Sequence, residues 1–375
     1  MNLARLIIAS SESSSDFYWA TRFQVPDPMI FIEHRGRKLL VASDLEYSRA
    51  KKEAQVDEVL SHSDYERKLK KIGREKPVEA DVLDQVLRDL KVRMLEVPAS
   101  FPFRMAEILR RRGYRLMPVP DPFFPEREIK TPEEKKWITQ ALRITEQGIE
   151  AAITVLESSV AKKTYLEWNG TTLTSEILRR VIELKMMELG AVGRHTIVAG
   201  GKQAADPHCR GTGPLKPNET IVLDVFPRST ETGYHGDITR TVVKGRASDK
   251  LRKMYEAVRK AQEAGIRTVR AGIDGSEVHN KVAASLEAAG FKTQTLKGKP
   301  QGFIHSTGHG LGLDVHEAPR VSARAGQMLK KGHIVTVEPG LYYEDLGGIR
   351  IEDVVAVTAT GCEVLTKIGK TLEIP

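Results

Sequence analysis

Residues 220–226, TIVLDVF, form an apolar run typical of a buried strand, yet Asp224 stands within it. Two later apolar runs are interrupted in the same way, by Glu338 in IVTVEPG and by Glu352 in IRIEDVV. A lone buried carboxylate is unfavourable unless it is paired or binds a cation. One such residue is compatible with a salt bridge, but three, with Asp237 directly before ITRT, indicate a shared cation site.

A second signal is the stretch HSTGHGLGLDVHE, which holds His305, His309 and His316. Three of the ten histidines therefore fall within one short, glycine-rich segment. Glycine allows the backbone to approach a site closely. The spacing is not the HExxH pattern of a zinc-protease helix, so we expect a loop that contributes to a site of another kind.

Carboxylates combined with one imidazole suit Mn²⁺, Co²⁺, Fe²⁺ or Zn²⁺. Four carboxylates carry enough negative charge for two divalent ions, and two ions about 3.5–4 Å apart can activate water for hydrolysis. The residues alone therefore indicate a dinuclear metallohydrolase.

The composition is that of a globular protein, with 375 residues, 40% hydrophobic and 29% charged. This length is sufficient for two domains. The N-terminal apolar run is too short for a secretory signal, and no stretch is apolar enough to span a membrane. Cys209 and Cys362 form no metal or disulfide pattern. We expect a cytoplasmic protein without membrane contact.

The net charge of +8 raises the alternative of nucleic-acid binding. The basic residues are interspersed with glutamates along helices, as in LRKMYEAVRKAQEAGIR, and no nucleic-acid motif accompanies them. The expectation is a basic surface without a nucleic-acid partner.

The first ~120 residues alternate strand-like and helix-like segments, including a hairpin that turns at Arg35–Gly36. Such alternation predicts an α/β domain. The proline-rich segment 118–130 marks the boundary, so the predicted domains are residues 1–125 and 126–375.

The second domain is predicted to begin with a long helix, capped by Thr131 with Glu134 three residues later. Its expected buried face consists of Trp137, Ala141, Ile144, Gly148, Ala152 and Val155. Three further helices are expected, the last capped by Ser276. The segments TIVLDVF, ITRTVVKG, HIVTVEPG and GIRIEDVVAVT are each expected to be one strand.

Four motifs, VLDVF…GYHGDITRT, STGHGLGLDVHEAP, TVEPGLYY and GGIRIED, resemble those of the creatinase/prolidase/methionine-aminopeptidase group and follow its order. The resemblance covers most of residues 195–357 and implies an α+β "pita-bread" catalytic domain. The N-terminal segment looks like the creatinase-type α/β domain of prolidase-like members.

The resemblance also implies residue roles. Its metal ligands match Asp224, Asp237, His309, Glu338 and Glu352, with Asp237 and Glu352 bridging two ions and Glu338 also handling the proton of the attacking water. His316 and His208 match substrate-contacting histidines. Three further residues match family positions that surround the metal ligands without binding the ions: His305, Thr239 and Arg350. His208 is also compatible with an ordinary surface loop, and His305 with a structural role.

One departure concerns the hairpin between Asp224 and Asp237. The two aspartates lie thirteen positions apart, two more than the family pattern, and Val-Phe-Pro-Arg-Ser replaces the usual small residues. We expect a longer hairpin beside the site, with an effect on substrate range.

The implied activity is hydrolysis of Xaa-Pro bonds by a dinuclear metallopeptidase, with Mn²⁺ as the expected metal and Co²⁺, Zn²⁺ or Fe²⁺ as alternatives. An Xaa-Pro dipeptidase must bind the free carboxylate of its substrate, for which Arg320 and Arg324 are the candidates. Both are also compatible with solvated surface charges, which is the preferred interpretation of Arg324. The alternatives are an Xaa-Pro aminopeptidase acting on longer peptides, a hydrolase of other small amides, and a non-catalytic binding member of the fold. The family analogy also implies a homodimer.

Overall fold

The computed structural model describes residues 3–296 and 298–375. The chain forms two compact units, Met1–Arg127 and Glu128–Pro375. A short 3₁₀ helix, Pro125–Glu128, occupies the junction in the sequence. Within the described residues, no helix is both long and apolar enough to cross a bilayer.

The first unit is an α/β domain built on one mixed sheet. In chain order its elements are β1 (Leu3–Ala9), α1 (Ser15–Thr21), β2 (Met29–His34), β3 (Arg37–Ala42), α2 (Asp44–Glu53), β4 (Glu58–Ser61), α3 (His62–Lys71), α4 (Glu79–Asp89), β5 (Met94–Pro98), α5 (Phe103–Arg111) and β6 (Arg115–Val119). The strand order is β4-β3-β2-β1-β5-β6. β1, β2 and β3 are antiparallel neighbours, whereas the outer strands β4, β5 and β6 each pair in parallel.

Alternating side chains of the central strands fill a core on each face of this sheet. Leu6 of β1 packs in a cluster with Leu83 of α4, whereas its neighbour Ile7 packs in a different cluster with Phe17 of α1. Successive side chains of a strand point to opposite faces, so both faces are covered. The predicted β2–β3 turn is confirmed, since Arg35 and Gly36 have φ angles of 53° and 76°, the left-handed conformation that a two-residue hairpin requires.

The second unit mixes helices with several small sheets. Its elements are α6 (Pro132–Ser158), β7 (Val160–Ala161), β8 (Leu166–Trp168), β9 (Thr171–Thr172), α7 (Ser175–Glu188), β10 (Ala191–Val192), β11 (Ile197–Gly200), a 3₁₀ helix (Gly201–Ala205), β12 (Thr220–Val225), β13 (Arg228–Ser229), β14 (Ile238–Lys244), α8 (Asp249–Thr268), α9 (Gly275–Ala288), β15 (Gln294–Leu296), β16 (Lys299–Gln301), β17 (Gly308–Gly310), β18 (Glu317–Val321), β19 (Ile334–Val337), β20 (Gly340–Tyr343), β21 (Gly347–Arg350), β22 (Asp353–Val357), β23 (Cys362–Val364) and β24 (Glu373–Ile374).

Two of these sheets contain or adjoin the predicted metal ligands. One has the order β11-β12-β14-β24 and the other the order β18-β17-β19-β22-β23. The helices pack in pairs, α6 with α7 and α8 with α9. At Gly148 of α6 an added Cβ would lie 2.9 Å from Met186 Cγ, so the glycine permits the close approach of α7.

The start of α6 confirms the predicted cap. The Thr131 hydroxyl accepts the Glu134 backbone N–H at 3.2 Å, and the Glu134 carboxylate accepts the Thr131 N–H at 2.8 Å. The predicted buried face was wrong at Trp137 and Ile144, which are only half-buried. The prediction was confirmed at its other four positions, and a second buried series lies one residue further along: Ile138, Leu142, Thr145, Ile149 and Leu156. Both series repeat every three or four residues, so periodicity alone did not separate them.

The predicted cap of α9 was also wrong. The helix begins at Gly275, and the Asp274 side chain accepts the Ser276 backbone N–H at 2.8 Å. Glu277 returns a bond to the Asp274 N–H at 3.2 Å. An Asp-x-x-Glu capping box therefore displaces the serine into the first turn.

Candidate metal centre

Two antiparallel strand pairs place the acidic residues. In the first pair, Asp224 of β12 lies opposite Thr239 of β14, and Asp237 immediately precedes β14. Thirteen positions of sequence separate the two aspartates, yet the hairpin register places both at the same end of this pair.

The second pair joins β19 to β22, with Val337 opposite Asp353. Glu338 follows the first of these residues and Glu352 precedes the second, so both lie just beyond the paired ends. The expectation of one continuous strand over GIRIEDVVAVT was wrong. The chain leaves the β20–β21 hairpin at Arg350 and joins another sheet at Asp353, which places Glu352 in the break between the two strands.

The imidazole of His309 faces this acidic group. Its Nδ1 lies 3.1 Å from the carbonyl oxygen of Gly310, which can only accept, so Nδ1 carries the proton. Nε2 then points to the carboxylates, 3.1 Å from Glu338 Oε1 and 3.8 Å from Asp237 Oδ2. Without a cation, Nε2 can also carry a proton and donate it to Glu338; a bound cation would take the place of that proton on the Nε2 lone pair.

Burial and, after it, mutual repulsion determine the electrostatics of the cluster. Burial, followed by the charges of neighbouring carboxylates, raises the pKa of Asp237 and of Glu352 well above their ordinary values. Burial also acts to raise the pKa of Glu338, but its hydrogen bond with His309 and the charge of that ring outweigh burial and hold this pKa at about 2. The site therefore retains at least one ionised carboxylate beside two that resist ionisation.

These features fit a divalent cation. Asp237, His309 and Glu352 each offer a ligand atom, and the three atoms lie within 4.8 Å of one another. Among the described residues, Glu352 Oε1 is buried with no hydrogen-bond partner. A bound cation would satisfy this oxygen and remove the repulsion between the carboxylates.

The two other expected ligands, Asp224 and Glu338, line the same cavity but make hydrogen bonds to different protein groups. Asp224 accepts hydrogen bonds from Arg350 Nη2 and Thr239 Oγ1, the latter at 3.0 Å. Glu338 contacts His309 as described above. Both line the cavity together with the three clustered residues.

A buried polar frame holds the carboxylates in place. Thr239 Oγ1 lies 2.8 Å from Glu352 Oε2 and accepts the Nε–H of Arg350 at 3.2 Å. Arg350 Nη1 donates to the Tyr342 hydroxyl at 2.8 Å, and that hydroxyl lies 3.0 Å from His305 Nε2. Burial raises the pKa of Tyr342 to about 12 and lowers the pKa of His305 to about 4, so both groups are neutral at neutral pH.

The cavity, of about 330 Å³, brings together the other predicted site residues. His208, His305, His316, Arg320 and Arg350 all line it. The His316 ring meets the His309 ring edge-on, with centroids 4.3 Å apart. Burial and then the neighbouring charge of His309 lower the pKa of His316 to about 4. Thr239 is not among the described residues that line the cavity, but its hydroxyl contacts two residues that do, Asp224 and Glu352.

Sequence reasoning did not single out the apolar lining or Tyr342. The unpredicted lining residues are Ile197, Pro207, Phe226, Ser306 and Val315. Phe226 lies in the Asp224–Asp237 hairpin, whose length and sequence depart from the family pattern. That departure was the one sequence feature that could have drawn attention to Phe226 as a lining residue. Tyr342 lies within the TVEPGLYY motif and could have been found there.

Comparison with known proteins decides the family. A family model described as metallopeptidase family M24 matches residues 136–359. The chain belongs to this family. The chain is 29% identical over 337 residues to an Xaa-Pro dipeptidase of Pyrococcus furiosus, which covers 89% of this chain and 85% of the relative.

Solved structures of similar proteins agree with this assignment. An Xaa-Pro dipeptidase from Bacillus anthracis superposes with a TM-score of 0.83 at 25% identity, over 99% of this chain and 95% of the other. An X-Pro aminopeptidase from Thermotoga maritima gives a TM-score of 0.81 at 26% identity, over 99% and 97%. The expected fold class, an α/β creatinase-like domain followed by an α+β pita-bread domain, is confirmed, and this M24 chain is a metallopeptidase, that is, a hydrolase.

Asp237→Asn is expected to stabilise the metal-free protein, because it removes one of the repelling carboxylates. Since the folded-state pKa of Asp237 is raised, the wild type loses stability as the pH rises from about 4 towards that raised pKa. The Tm of the metal-free variant should therefore exceed that of the wild type by a margin that is small at pH 5 and reaches several degrees, about 2–4 °C per kcal/mol, at pH 8.

Scanning calorimetry on metal-stripped protein measures this margin. Asp345→Asn, at an exposed position in the β20–β21 turn, is the matched control and should leave the Tm unchanged at both pH values. A metal-free Asp237→Asn protein that melts at or below the wild-type temperature at pH 8 would contradict the repulsion argument.

Proposed function

We propose that the protein is an Xaa-Pro dipeptidase that depends on two divalent metal ions. The observation that carries this proposal is the convergence of four carboxylates and one imidazole on a single cavity, those of Asp224, Asp237, Glu338, Glu352 and His309. Relatives and solved structures named Xaa-Pro dipeptidase support the choice of substrate.

The five residues would hold the two ions, with Asp237 and Glu352 shared between them. The unpartnered Oε1 of Glu352 supports this role, as does the short separation of the Asp237, His309 and Glu352 ligand atoms. Mn²⁺ is the proposed physiological metal, and Co²⁺, Zn²⁺ and Fe²⁺ suit the same mixed oxygen and nitrogen donors. When bound, the ions polarise the scissile carbonyl and lower the pKa of water.

The chain's own groups supply proton transfer and charge stabilisation. Glu338 lines the cavity beside His309 and offers a carboxylate oxygen that can accept a proton from the attacking water. His316 is neutral at that pH and can donate a hydrogen bond to the carbonyl oxygen as negative charge develops there. His208 lies in the loop after the 3₁₀ helix Gly201–Ala205, with its ring available to the substrate.

Arg320 provides the reason to favour dipeptides. Arg320 and Arg324 are both exposed, but only Arg320 is among the described residues that line the cavity, and it lies opposite His309 in the β17–β18 register. A guanidinium at this position can pair with the free carboxylate of the proline. The second candidate is an Xaa-Pro aminopeptidase, which the similarity to the Thermotoga maritima enzyme favours.

Further proposals concern location and partners. We propose from the sequence that the protein acts in the cytoplasm without nucleic-acid or membrane partners, and from the family analogy alone that it forms a homodimer. Light scattering coupled to size-exclusion chromatography measures the molar mass, for which a dimer of the 41.8 kDa chain is expected.

Metal-stripped protein is expected to cleave Met-Pro only after Mn²⁺, Co²⁺ or Zn²⁺ is restored. Release of the N-terminal methionine, measured by chromatography, should fall to background in the stripped protein, because the ions activate the water. Met-Pro-Ala-Ala serves as the longer substrate in the same assay. Cleavage of Met-Pro alone supports the dipeptidase, and cleavage of the longer peptide supports the aminopeptidase. Failure to cleave either one with two ions bound would contradict both.

Arg320→Ala is expected to raise the KM for Met-Pro by about 10- to 100-fold, the loss that follows when a hydrogen-bonded charge pair is broken. The kcat should change less, since Arg320 binds the end of the substrate and not the reacting bond. Arg324→Ala is the matched control and should retain wild-type kinetics. Equal effects of the two substitutions would show that Arg320 does not select dipeptides.

A further inference from the structure

Lys130 and Glu317 form a buried ion pair within the second unit. Lys130 Nζ lies 2.7 Å from Glu317 Oε2, and the two side chains are only 3% and 8% exposed. Desolvating two charges largely offsets the attraction between them, so such a pair adds little net stability. The position of this pair in the fold suggests a different role.

The Glu317 carboxylate lies inside the curve of the segment 311–316, which joins β17 to β18. Its Oε1 accepts the backbone N–H of Asp314 at 3.1 Å. Across the curve, a Cβ added at Gly312 would lie 2.5–2.7 Å from the carboxylate atoms, so a residue without a side chain is needed there. The segment therefore folds closely around this one carboxylate.

Lys130 reaches this carboxylate from a rigid base. Its backbone N–H donates to the carbonyl oxygen of Gly332 at 2.9 Å, just before β19. The next residue, Thr131, caps α6. The backbone of Lys130 is therefore anchored between a strand end and a helix start, and its buried ammonium group binds the Glu317 carboxylate.

The segment held in this way presents substrate-facing groups. Val315 and His316 line the cavity, and Glu317 itself is the first residue of β18, the strand that carries Arg320. In that strand Arg320 lies opposite His309. Any displacement of Glu317 would thus move His316 on one side and Arg320 on the other.

We propose that the Lys130–Glu317 pair is a positioning device that fixes His316, and with it Arg320, relative to the metal ligand His309. This inference rests on the proposed function for its kinetic consequence. Neither member of the pair lines the cavity within the described part of the chain, so neither contacts the substrate. Their effect is exerted through the fold of segment 311–317.

Lys130→Met tests the proposal in the metal-loaded full-length enzyme. The substitution keeps the aliphatic stem and removes the ammonium group that binds the Glu317 carboxylate. The kcat for Met-Pro is expected to fall about 100-fold, the effect of moving a catalytic group by about 1 Å. The metal content should remain that of the wild type, because no ligand is altered. The matched control is Lys135→Met, which breaks the more exposed pair with Glu363 and should change kcat less than about twofold.

The double variant Lys130→Met/Glu317→Gln separates charge pairing from loss of bulk. It leaves no unpaired buried charge, and the amide oxygen of the new side chain can still accept the Asp314 N–H. Its kcat should exceed that of Lys130→Met by about tenfold, as expected for two directly coupled residues. A double variant no more active than Lys130→Met would overturn the proposal. If Lys130→Met does not fold, a double variant that folds with wild-type kcat would overturn it as well.

Hydrogen exchange read by mass spectrometry tests the same proposal without substrate. In metal-loaded Lys130→Met, amides of residues 311–317 should exchange at least about tenfold faster than in the wild type, while those of α8 should be unchanged. Unchanged exchange in 311–317 would overturn the inference whatever the activity. Faster exchange in a protein whose wild type cleaves no Xaa-Pro peptide would support the positioning role and contradict the proposed function instead.

Discussion

Four carboxylates and one imidazole share a small buried space, and their mutual repulsion is the constraint around which the second unit is organised. Burial and like charge raise the pKa of Asp237 and Glu352, while His309 keeps Glu338 ionised. Such a cluster is unfavourable without a cation. The rest of the unit can be understood as the means of holding these groups together, and the metal as what makes the arrangement stable.

Two features hold these groups together: the pairing of the strands and a small network of buried hydrogen bonds. The β12–β14 and β19–β22 pairs set where the carboxylates lie, and Arg350 ties them together through Asp224 and Thr239. The network is buried, and its hydrogen bonds orient the carboxylates, as outer contacts do at metal sites. The groups that would meet a substrate, such as His316, lie instead on a loop whose own anchor is an ion pair to Lys130.

The sequence was sufficient for the elements whose signal is local. The β2–β3 turn follows from Arg35–Gly36, and the cap of α6 follows from the Thr131–Glu134 spacing. The sequence was insufficient where two periodic patterns overlap: Trp137 of α6 was predicted to be buried and is only half-buried. It was also insufficient where tertiary pairing determines a strand's ends, since the break at Glu352 arises because the residues on either side of it join different sheets. Three of the candidate ligands could be found in the sequence because Asp224, Glu338 and Glu352 each interrupt an apolar run. The apolar walls of the cavity, such as Phe226, have no comparable signal.

The most direct test of this account is a crystal structure of the Mn²⁺-loaded protein with anomalous diffraction data collected at the manganese absorption edge. The account predicts two anomalous peaks in the cavity, both in contact with Asp237 and Glu352, with Asp224 beside one ion and His309 and Glu338 beside the other. A single peak, or peaks away from these five residues, would contradict it.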